Sequence, residues 1–512
     1  MNSNRDKSRR IAKNTAILYF RMFFLMLVNL YTSRVVLDAL GVKDYGIYNV
    51  VGGFVAMFAL ISSALTSACT RFLNYEMGIG ESDRQMLVFS TSVIIQFILA
   101  VVIFVLAEIV GIWYINNMMV IPYPRLIAAN WCFQFSVFSF CMNLICVPYN
   151  ATIIAHEKMR AFAYVSIGQG IAILGVSFAI YYEPFDRLIF YALLLMVVQL
   201  CILISYRIYC KNNFHECRIC RAFDKTLLHN MLSYSFWHLI GNGATVLKTH
   251  GVNLVLNLFG GPTVNAARGL ATQVDNAVNQ FSGNFMMAIN PQITQSYAKG
   301  DIKYMLNLVY KGSYFSFYLI FLLSLPIMIN SKYLMSLWLK EVPEYTVIFT
   351  QLALIVTVIA SLSRPLVTAQ NATGNVRNYQ IAIGGIQLLN LPLSYLALWL
   401  GYSPFIVVVV AIIVEFVSFL ARIFMLPKTL LYFRPYNYLK NVGFKCLFVA
   451  ICAAPIPILA FVLLEEGFLS LFVNVIICLS CCIISVLFVG CDTNERNFFY
   501  SKIKEVRNKL MK

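Results

Sequence analysis

One guanidinium lies inside a strongly apolar stretch of the chain. Residues 16 to 31 read AILYFRMFFLMLVNLY, with Arg21 among aromatic and aliphatic side chains. A charge at the centre of a bilayer costs about 2.5 to 3.5 kcal/mol on insertion scales, so such residues usually face a bundle interior or a water-filled cavity. Arginine can form bidentate hydrogen bonds with phosphate oxygens. Arg21 is therefore a candidate phosphate-binding residue, and snorkelling toward the headgroups is the alternative.

A second polar feature is the segment RGLATQVDNAVNQFSGNFMMAINP, which begins at residue 268. Its polar side chains are Arg268, Thr272, Asp275, Asn276, Asn279 and Gln280. Helical spacing places Arg268, Thr272, Asp275 and Asn279 on one stripe, and Asn276 and Gln280 widen that face. We expect this face to line a water-filled cavity, where amides and hydroxyls can bond sugars and Asp275 is a candidate for ion coupling. Polar packing between helices is the alternative.

Three other titratable residues fall within apolar segments. Lys248 would add positive charge to the cavity or pair with an acid such as Asp275, and the glycines around it predict a bent or unwound helix. His250 titrates near neutral pH when unperturbed, so it is a candidate proton sensor or a hydrogen-bonded core histidine. Burial would raise the pKa of Glu415, which makes it a candidate for proton coupling; the alternatives are that it pairs with a neighbouring helix or stays protonated.

Signs of catalysis or of a cofactor are missing from the sequence. It contains no G-x-x-x-x-G-K-[ST], H-E-x-x-H or G-x-S-x-G motif, so we predict neither an enzyme nor direct use of ATP. The segment CKNNFHECRIC has several possible metal ligands but lacks a second closely spaced pair, so a solvated loop is favoured over a zinc site. We predict no metal site, no cofactor and no catalytic residue.

The composition is that of an integral membrane protein. Hydrophobic residues make up 60% of the 512 residues and charged residues 12%, about half the share of a typical soluble domain. Mean hydropathy is +0.75. Stretches of about 20 apolar residues can cross a bilayer as helices. We place fourteen at 14–36, 46–68, 86–110, 125–147, 161–181, 187–206, 232–258, 268–289, 311–330, 346–369, 379–400, 404–426, 443–464 and 468–490.

The distribution of Lys and Arg predicts the orientation. Loops and span ends on one side hold 28 of the 39 basic residues and those on the other side hold 7, the rest lying within spans. This bias predicts that the first side, with both termini, is cytoplasmic. The basic C-terminal tail is then a topology anchor near anionic membrane lipids rather than a nucleic-acid-binding arm.

An internal repeat relates the two halves of the chain. VLDALG (36–41) matches VLNLFG (255–260), Gly80-Glu81 matches Gly300-Asp301, and Pro148 matches Pro365, at offsets of 219, 220 and 217 residues. The offset equals six spans, so the copies have the same orientation, as in transporters built from parallel repeats with the substrate path between the halves.

The repeat predicts an all-α polytopic fold with two parallel six-helix lobes related by a pseudo-two-fold axis along the membrane normal. The predicted divisions are a cytoplasmic basic N-terminus (1–13), an N-lobe (14–206), a cytoplasmic connector (207–231), a C-lobe (232–426), two additional spans (427–490) and a cytoplasmic basic tail (491–512).

Three segments resemble a known family. TSRVVLDALGVKDYGIYNVVGG, TRFLNYEMGIGE and NPQITQSYAKGD look like those of Wzx-type polysaccharide flippases, within the multidrug/oligosaccharidyl-lipid/polysaccharide exporter superfamily, over residues 10 to 430. The resemblance implies a bacterial inner-membrane protein that moves undecaprenyl-diphosphate-linked oligosaccharides by alternating access, for O-antigen, capsule or exopolysaccharide synthesis. A glycan polymerase and glycosyltransferases are the partners it suggests.

Two other functions were weighed against this one. A cation-coupled multidrug antiporter of the same superfamily would favour an acidic cavity, whereas Arg21, Lys248, Arg268 and Arg364 outnumber Asp275 and Glu415. A membrane-embedded glycosyltransferase or polymerase would have large outer loops with acidic residues, and every predicted outer loop is short. The sequence therefore favours the flippase.

Overall fold

The protein is mainly helical in the part of the chain that the structure describes. A computed structural model describes residues 2–56, 58–117, 121–182, 186–218, 224–246, 248, 251–339, 342–464, 467–493 and 495–497. Eleven helical stretches in these ranges are long and apolar enough to cross a membrane. The predicted all-α polytopic fold is confirmed.

The described residues of the first half form eight α-helices. They are α1 (Asn2–Ala56), α2 (Ala59–Ile79), α3 (Ser82–Leu106), α4 (Ile112–Asn117), α5 (Leu126–Ala155), α6 (Met159–Ala179), α7 (Arg187–Asn213) and α8 (Lys225–Val246). A π-helical turn, Ala107–Gly111, joins α3 to α4. Helix α1 is kinked at Gly41, whose φ of 75° lies in the left-handed region that favours glycine.

Eleven α-helices are assigned in the described residues of the second half. They are α9 (Val252–Ala298), α10 (Ile302–Ile329), α11 (Ser331–Trp338), α12 (Thr346–Thr373), α13 (Arg377–Leu388), α14 (Asn390–Trp399), α15 (Ile406–Met425), α16 (Pro435–Tyr438), α17 (Phe444–Ala453), α18 (Pro455–Leu463) and α19 (Phe468–Ser485). Five-residue π-helical segments, Leu439–Gly443 and Val486–Gly490, precede α17 and follow α19.

Three of the fourteen predicted spans are not among the eleven apolar stretches. These are 46–68, 232–258 and 268–289, and they fall on α1 with α2, on α8 with α9, and on α9. Their polar residues lower the hydropathy, although the backbone is helical wherever an element is assigned. The predicted loop at 259–267 is wrong, because α9 runs through it without a break.

Two of the three repeat matches have the same local structure in both copies. Gly80 and Gly300 both have positive φ, at 92° and 74°, and follow the ends of α2 and α9, a common way to terminate a helix. Pro148 and Pro365 both lie inside a helix, in α5 and α12. Gly41 and Gly260 differ, because Gly41 forms the kink in α1 whereas Gly260 lies within α9.

Helix contacts divide the chain into two compact units. Unit 1 comprises residues 1–242 and 287–301, and unit 2 comprises 243–286 and 302–512. In unit 1, α5 packs on α7 and α3, and α1 packs on α6. In unit 2, α12 packs on α10 and α15, while α19 packs on α10, α17 and α18. The lobe boundaries expected from the repeat stay a prediction.

Many long apolar side chains point away from the protein. Phe20, Ile109, Val462 and Leu469 are each more than 65% exposed. Hydrocarbon provides the favourable environment for such a surface, as lipid-facing helices require. The helices thus bury polar groups inward and present apolar groups outward.

Candidate functional site

Glu415 on α15 is a buried acid with several charged and polar partners. One carboxylate oxygen, Oε2, lies 3.1 Å from Nζ of Lys248 and accepts a hydrogen bond of 3.0 Å from the Gln387 amide on α13. The other oxygen, Oε1, lies 3.0 Å from Nη1 of Arg422. Arg422 follows Glu415 by seven residues, or two helical turns, so both side chains share one face of α15. One buried acid therefore holds two cations and an amide.

Hydroxyl groups complete this network. Arg422 donates a hydrogen bond of 3.1 Å to Ser363 Oγ on α12, and Gln387 donates one of 2.9 Å to Ser418 Oγ. Lys248 and Glu415 are both mostly buried. Two cations and one anion leave the cluster with a formal charge of +1. In the structure Glu415 is paired with neighbouring side chains, and its predicted role in ion coupling stays a prediction. The suggested pair of Lys248 with Asp275 is not formed.

Asp275 lies in a separate network on α9. It accepts a hydrogen bond from the Thr357 hydroxyl of α12 and another, of 3.1 Å, from the Asn279 amide one turn along its own helix. The Asn279 carbonyl oxygen in turn lies 2.5 Å from Nη2 of Arg364, which donates to it. Asn279 thus bridges a carboxylate and a guanidinium of opposite charge. Asp275, predicted as an ion-coupling residue, and Asn279, predicted as a sugar ligand, lie side by side.

The other residues of the predicted α9 stripe do not take part in the network of Asp275 and Asn279. Nη1 of Arg268 donates a hydrogen bond of 2.8 Å to Asn253 Oδ1, and within the described residues no carboxylate pairs with it. The Thr272 hydroxyl bonds to the backbone carbonyl of Arg268 at 2.9 Å. Asn276 and Gln280 are exposed. Arg268 therefore keeps its positive charge uncompensated.

Arg21 lies on α1, within unit 1, and its side chain contacts α6. Its Nη1 donates a hydrogen bond of 3.3 Å to Ser166 Oγ, and its guanidinium carbon lies 4.5 Å from the centre of the Phe162 ring. This distance is that of a cation–π contact. Nε of Arg21 is buried without a hydrogen-bond partner. Like Arg268, Arg21 is held by neutral groups, with donors to spare.

The remaining predicted site residue, His250, lies outside the described residues. The sequence analysis missed several polar partners that complete the networks: Asn253, Thr357, Ser363, Gln387 and Ser418. Each is a neutral polar residue in a mostly apolar segment, which is a weak sequence signal. Among the described residues, no group of three possible metal ligands lies together.

An outer charge cluster in unit 1 was also missed. Arg125, at the start of α5, forms salt bridges with both Asp44 and Asp186. Asp186 also caps α7 by accepting hydrogen bonds from the backbone N–H groups of Leu188 and Ile189, at 3.0 and 3.3 Å. A carboxylate is well suited to the N-terminus of a helix. The cluster joins the part of α1 that follows the kink at Gly41 to the starts of α5 and α7.

Comparisons with known proteins identify the fold. A MATE transporter mutant has a TM-score of 0.72 and 11% identity, over 83% of this chain and 97% of that one. A mutant of the Vibrio cholerae MATE transporter VcmN gives 0.69 and 16%, over 85% and 100%. An outward-facing multidrug resistance MATE family transporter of the MOP superfamily gives 0.69 and 13%, over 83% and 96%. The chain has the MATE transporter fold.

Sequence comparison supports the same conclusion for part of the chain. Residues 244–396 match the family model MatE. A search of curated proteins found no significant match. The matched segment contains Lys248, the polar stripe of α9, Arg364 and Gln387, whereas Glu415 and Arg422 lie beyond its end. At 11 to 16% identity, the MATE fold is shared without evidence that individual site residues are.

Proposed function

We propose that this protein is a membrane transporter that moves an undecaprenyl-diphosphate-linked oligosaccharide across a bacterial inner membrane by alternating access. The MATE fold and the MatE match support a transporter. The choice of an anionic substrate rests on one observation, the balance of charge within the membrane. Among the described residues, two acids lie well inside the predicted spans, Asp275 and Glu415, and both are engaged by neighbouring polar or cationic groups.

Positive charge remains after those acids are accounted for. The Glu415 cluster has one cation in excess, and Arg21 and Arg268 are bonded to Ser166 and Asn253, which are neutral. A diphosphate supplies the missing negative charge and several acceptor oxygens, to which guanidinium groups bind strongly. The amides and hydroxyls of Asn276, Gln280 and Thr272 would bind the glycan. The apolar tail would stay in the bilayer.

Substitutions at the two arginines test the assignment. Arg21→Ala should abolish glycan export while the protein accumulates normally. Arg268→Gln can retain a hydrogen bond to Asn253 but loses the charge, so binding of undecaprenyl diphosphate should weaken about tenfold, or ~1.4 kcal/mol. Arg268→Lys should bind more tightly than Arg268→Gln. The control is Arg34→Gln, at an exposed position of the same formal charge. Normal export by Arg21→Ala and unchanged binding by Arg268→Gln would remove the basis of the proposal.

The second candidate is a cation-coupled multidrug antiporter. It is favoured by the MatE match and by the similarity to a structure described as a multidrug resistance transporter. Asp275, with the hydroxyl oxygen of Thr357 beside it, is then the residue for the coupling cation. In that case Asp275→Asn should abolish cation-driven efflux of a cationic dye from cells, and both arginine variants should leave efflux intact.

A further inference from the structure

A cleft with basic and aromatic walls opens in unit 2, away from the residues discussed above. Its volume is about 790 Å³, and its lining includes Lys311, Lys440, Lys445, Tyr314, Tyr436 and Phe444. We call it the basic–aromatic cleft. It lies where the start of α10, the segment leading into α17 and the residues after α19 meet. None of the proposed substrate-binding residues lines it.

The charges of this cleft are only partly compensated. Lys311 lies 2.7 Å from a Glu495 carboxylate oxygen, which also accepts a hydrogen bond of 2.5 Å from the Tyr314 hydroxyl. Lys445 lies 2.9 Å from Asp492 Oδ1 and 4.9 Å from the centre of the Tyr314 ring. Lys440 is exposed, and no acid pairs with it among the described residues. Three lysines and two acids leave one positive charge.

The position of the cleft agrees with the headgroup layer of the cytoplasmic leaflet. Lys311, Lys440 and Lys445 lie at the beginnings of spans 9 and 13, and Asp492 follows span 14, all on the side that the charge bias predicts to be cytoplasmic. Lysines at the ends of apolar helices commonly reach into this layer. Anionic lipids attract them by about 1 kcal/mol for each basic residue near the surface.

The aromatic walls distinguish a lipid from a soluble anion. Tyr436, Phe444 and Phe448 line the cleft and are 71%, 56% and 56% exposed. Aromatic rings at the membrane interface contact both headgroups and the upper part of acyl chains. A soluble phosphate has no apolar part to contact these rings. A phospholipid would place its phosphate among the lysines and its acyl chains along Phe444 and Phe448.

We propose that the basic–aromatic cleft binds the headgroup of an anionic phospholipid from the cytoplasmic leaflet. The lipid's phosphate would contact Lys440 and compete with Asp492 for Lys445. Asp492 is the more exposed partner of that pair, at 69%. The basic tail that follows, with five lysines and arginines and one glutamate between residues 501 and 512, would add to the attraction for an anionic surface. This inference does not depend on the transported substrate.

Photo-crosslinking of the full-length protein tests the proposal. The protein is placed in phosphatidylcholine nanodiscs containing a small fraction of a photoactivatable phosphatidylglycerol, and crosslinked peptides are mapped by mass spectrometry. Crosslinks are expected on residues 436–448 and 307–314, and at least fivefold fewer with photoactivatable phosphatidylcholine. Lys440→Gln combined with Lys445→Gln should reduce them at least threefold. The control is Lys428→Gln, an exposed lysine on the same predicted side but outside the cleft, which should leave them unchanged.

Each other outcome rules out the proposal. Equal crosslinking by phosphatidylcholine would show an annular lipid contact without headgroup selection. Displacement of the probe by millimolar glycerophosphate would show a site for a soluble phosphate, and preferential displacement by undecaprenyl diphosphate would show a site for the carrier lipid. The single variant Lys440→Glu changes an exposed residue only, so it provides a folded test in case the double variant is unstable, and it too should reduce crosslinking.

Discussion

Lys248 Nζ lies 3.1 Å from Glu415 Oε2, an ion pair that joins residues 167 positions apart in the chain. It ties the region between α8 and α9 to α15. The same carboxylate also binds Arg422, so its two oxygens are committed to two different cations. Removing the acid therefore leaves two buried cations without the counter-charge that they share, whereas removing Lys248 leaves the pair of Glu415 and Arg422 intact.

This asymmetry predicts an order of stability. Glu415→Gln should lower the free energy of unfolding by about 3 to 5 kcal/mol, the usual cost of breaking a buried pair by removing one partner. Lys248→Met should cost less, because its aliphatic stem is replaced and the acid keeps Arg422. Thermal denaturation of the purified protein in detergent, followed by size-exclusion chromatography, gives the comparison. A larger loss in Lys248→Met than in Glu415→Gln would mean that the network is not held by Glu415.

The outer cluster of unit 1 should depend on the shape of arginine as well as its charge. Arg125→Lys keeps the charge but cannot bond two carboxylates with a planar fork, so we expect it to destabilise the protein nearly as much as Arg125→Gln. The loss is on the order of 1 to 2 kcal/mol, since the cluster is partly exposed. The exposed Arg34→Gln is the control in the same melting experiment. Full stability of Arg125→Lys would contradict a bidentate role.

The connector between α7 and α8 should loosen in acid. Glu216 is bonded to His156, whose ring stacks on Phe214 with centroids 4.0 Å apart. Burial alone would raise the pKa of Glu216, but the hydrogen bond and charge of His156 outweigh it and hold that pKa below its ordinary value. The carboxylate therefore stabilises the docked connector above the pKa of the unfolded state. This contribution is lost as the pH falls through the lower, folded pKa.

Limited proteolysis can measure this effect. Glu216→Gln at neutral pH should increase cleavage between residues 207 and 218 several-fold, as acid should in the wild-type protein, whereas Lys211→Gln, at an exposed position of the same segment, should not. Hydrogen exchange of the same peptides provides an acid-compatible measurement. Equal protection in wild type and Glu216→Gln at neutral pH would show that the pair does not hold the connector.

Reporter fusions test the orientation predicted from the basic residues. A fluorescent protein fused after Gly374 should fluoresce, because that loop is predicted to be cytoplasmic. Alkaline phosphatase fused after Ser403, one span later, should be active because it reaches the outer side. The two points are separated by α13 and α14 alone. The opposite pattern would reverse the topology and move the basic–aromatic cleft to the outer leaflet.

Apolar length made most of the fold predictable, since a helix that crosses a bilayer needs about 20 apolar residues wherever it lies in the chain. The continuity of α9 was not predictable in this way. Gly260, Gly261 and Pro262 are strong local signals for a loop, yet the helix continues through them. Local turn preference is worth about 1 to 3 kcal/mol per residue and can be outweighed by the surrounding helical structure.

The sequence allowed the charged residues of the candidate site to be identified, but it did not allow their interaction partners to be predicted. A charged residue in an apolar helix stands out in sequence, as Arg21, Lys248, Arg268 and Glu415 did. The packing of α13 and α15 decides which acid pairs with Lys248. Hydrophobic periodicity carries no information about how helices pack on one another. Gln387 and Thr357 drew no attention because a single neutral polar residue in a span is common. They turned out to bind the two buried acids.

The central claim, that excess positive charge within the membrane serves an anionic lipid-linked substrate, is tested most directly in proteoliposomes. The protein is reconstituted with a fluorescent undecaprenyl-diphosphate oligosaccharide, and the fraction reached by a membrane-impermeant quencher is followed with time. The proposed function predicts flipping well above that of protein-free vesicles, slowed at least tenfold by Arg21→Ala, and no proton- or sodium-driven uptake of a cationic dye. Dye transport without any movement of the lipid-linked oligosaccharide would contradict it.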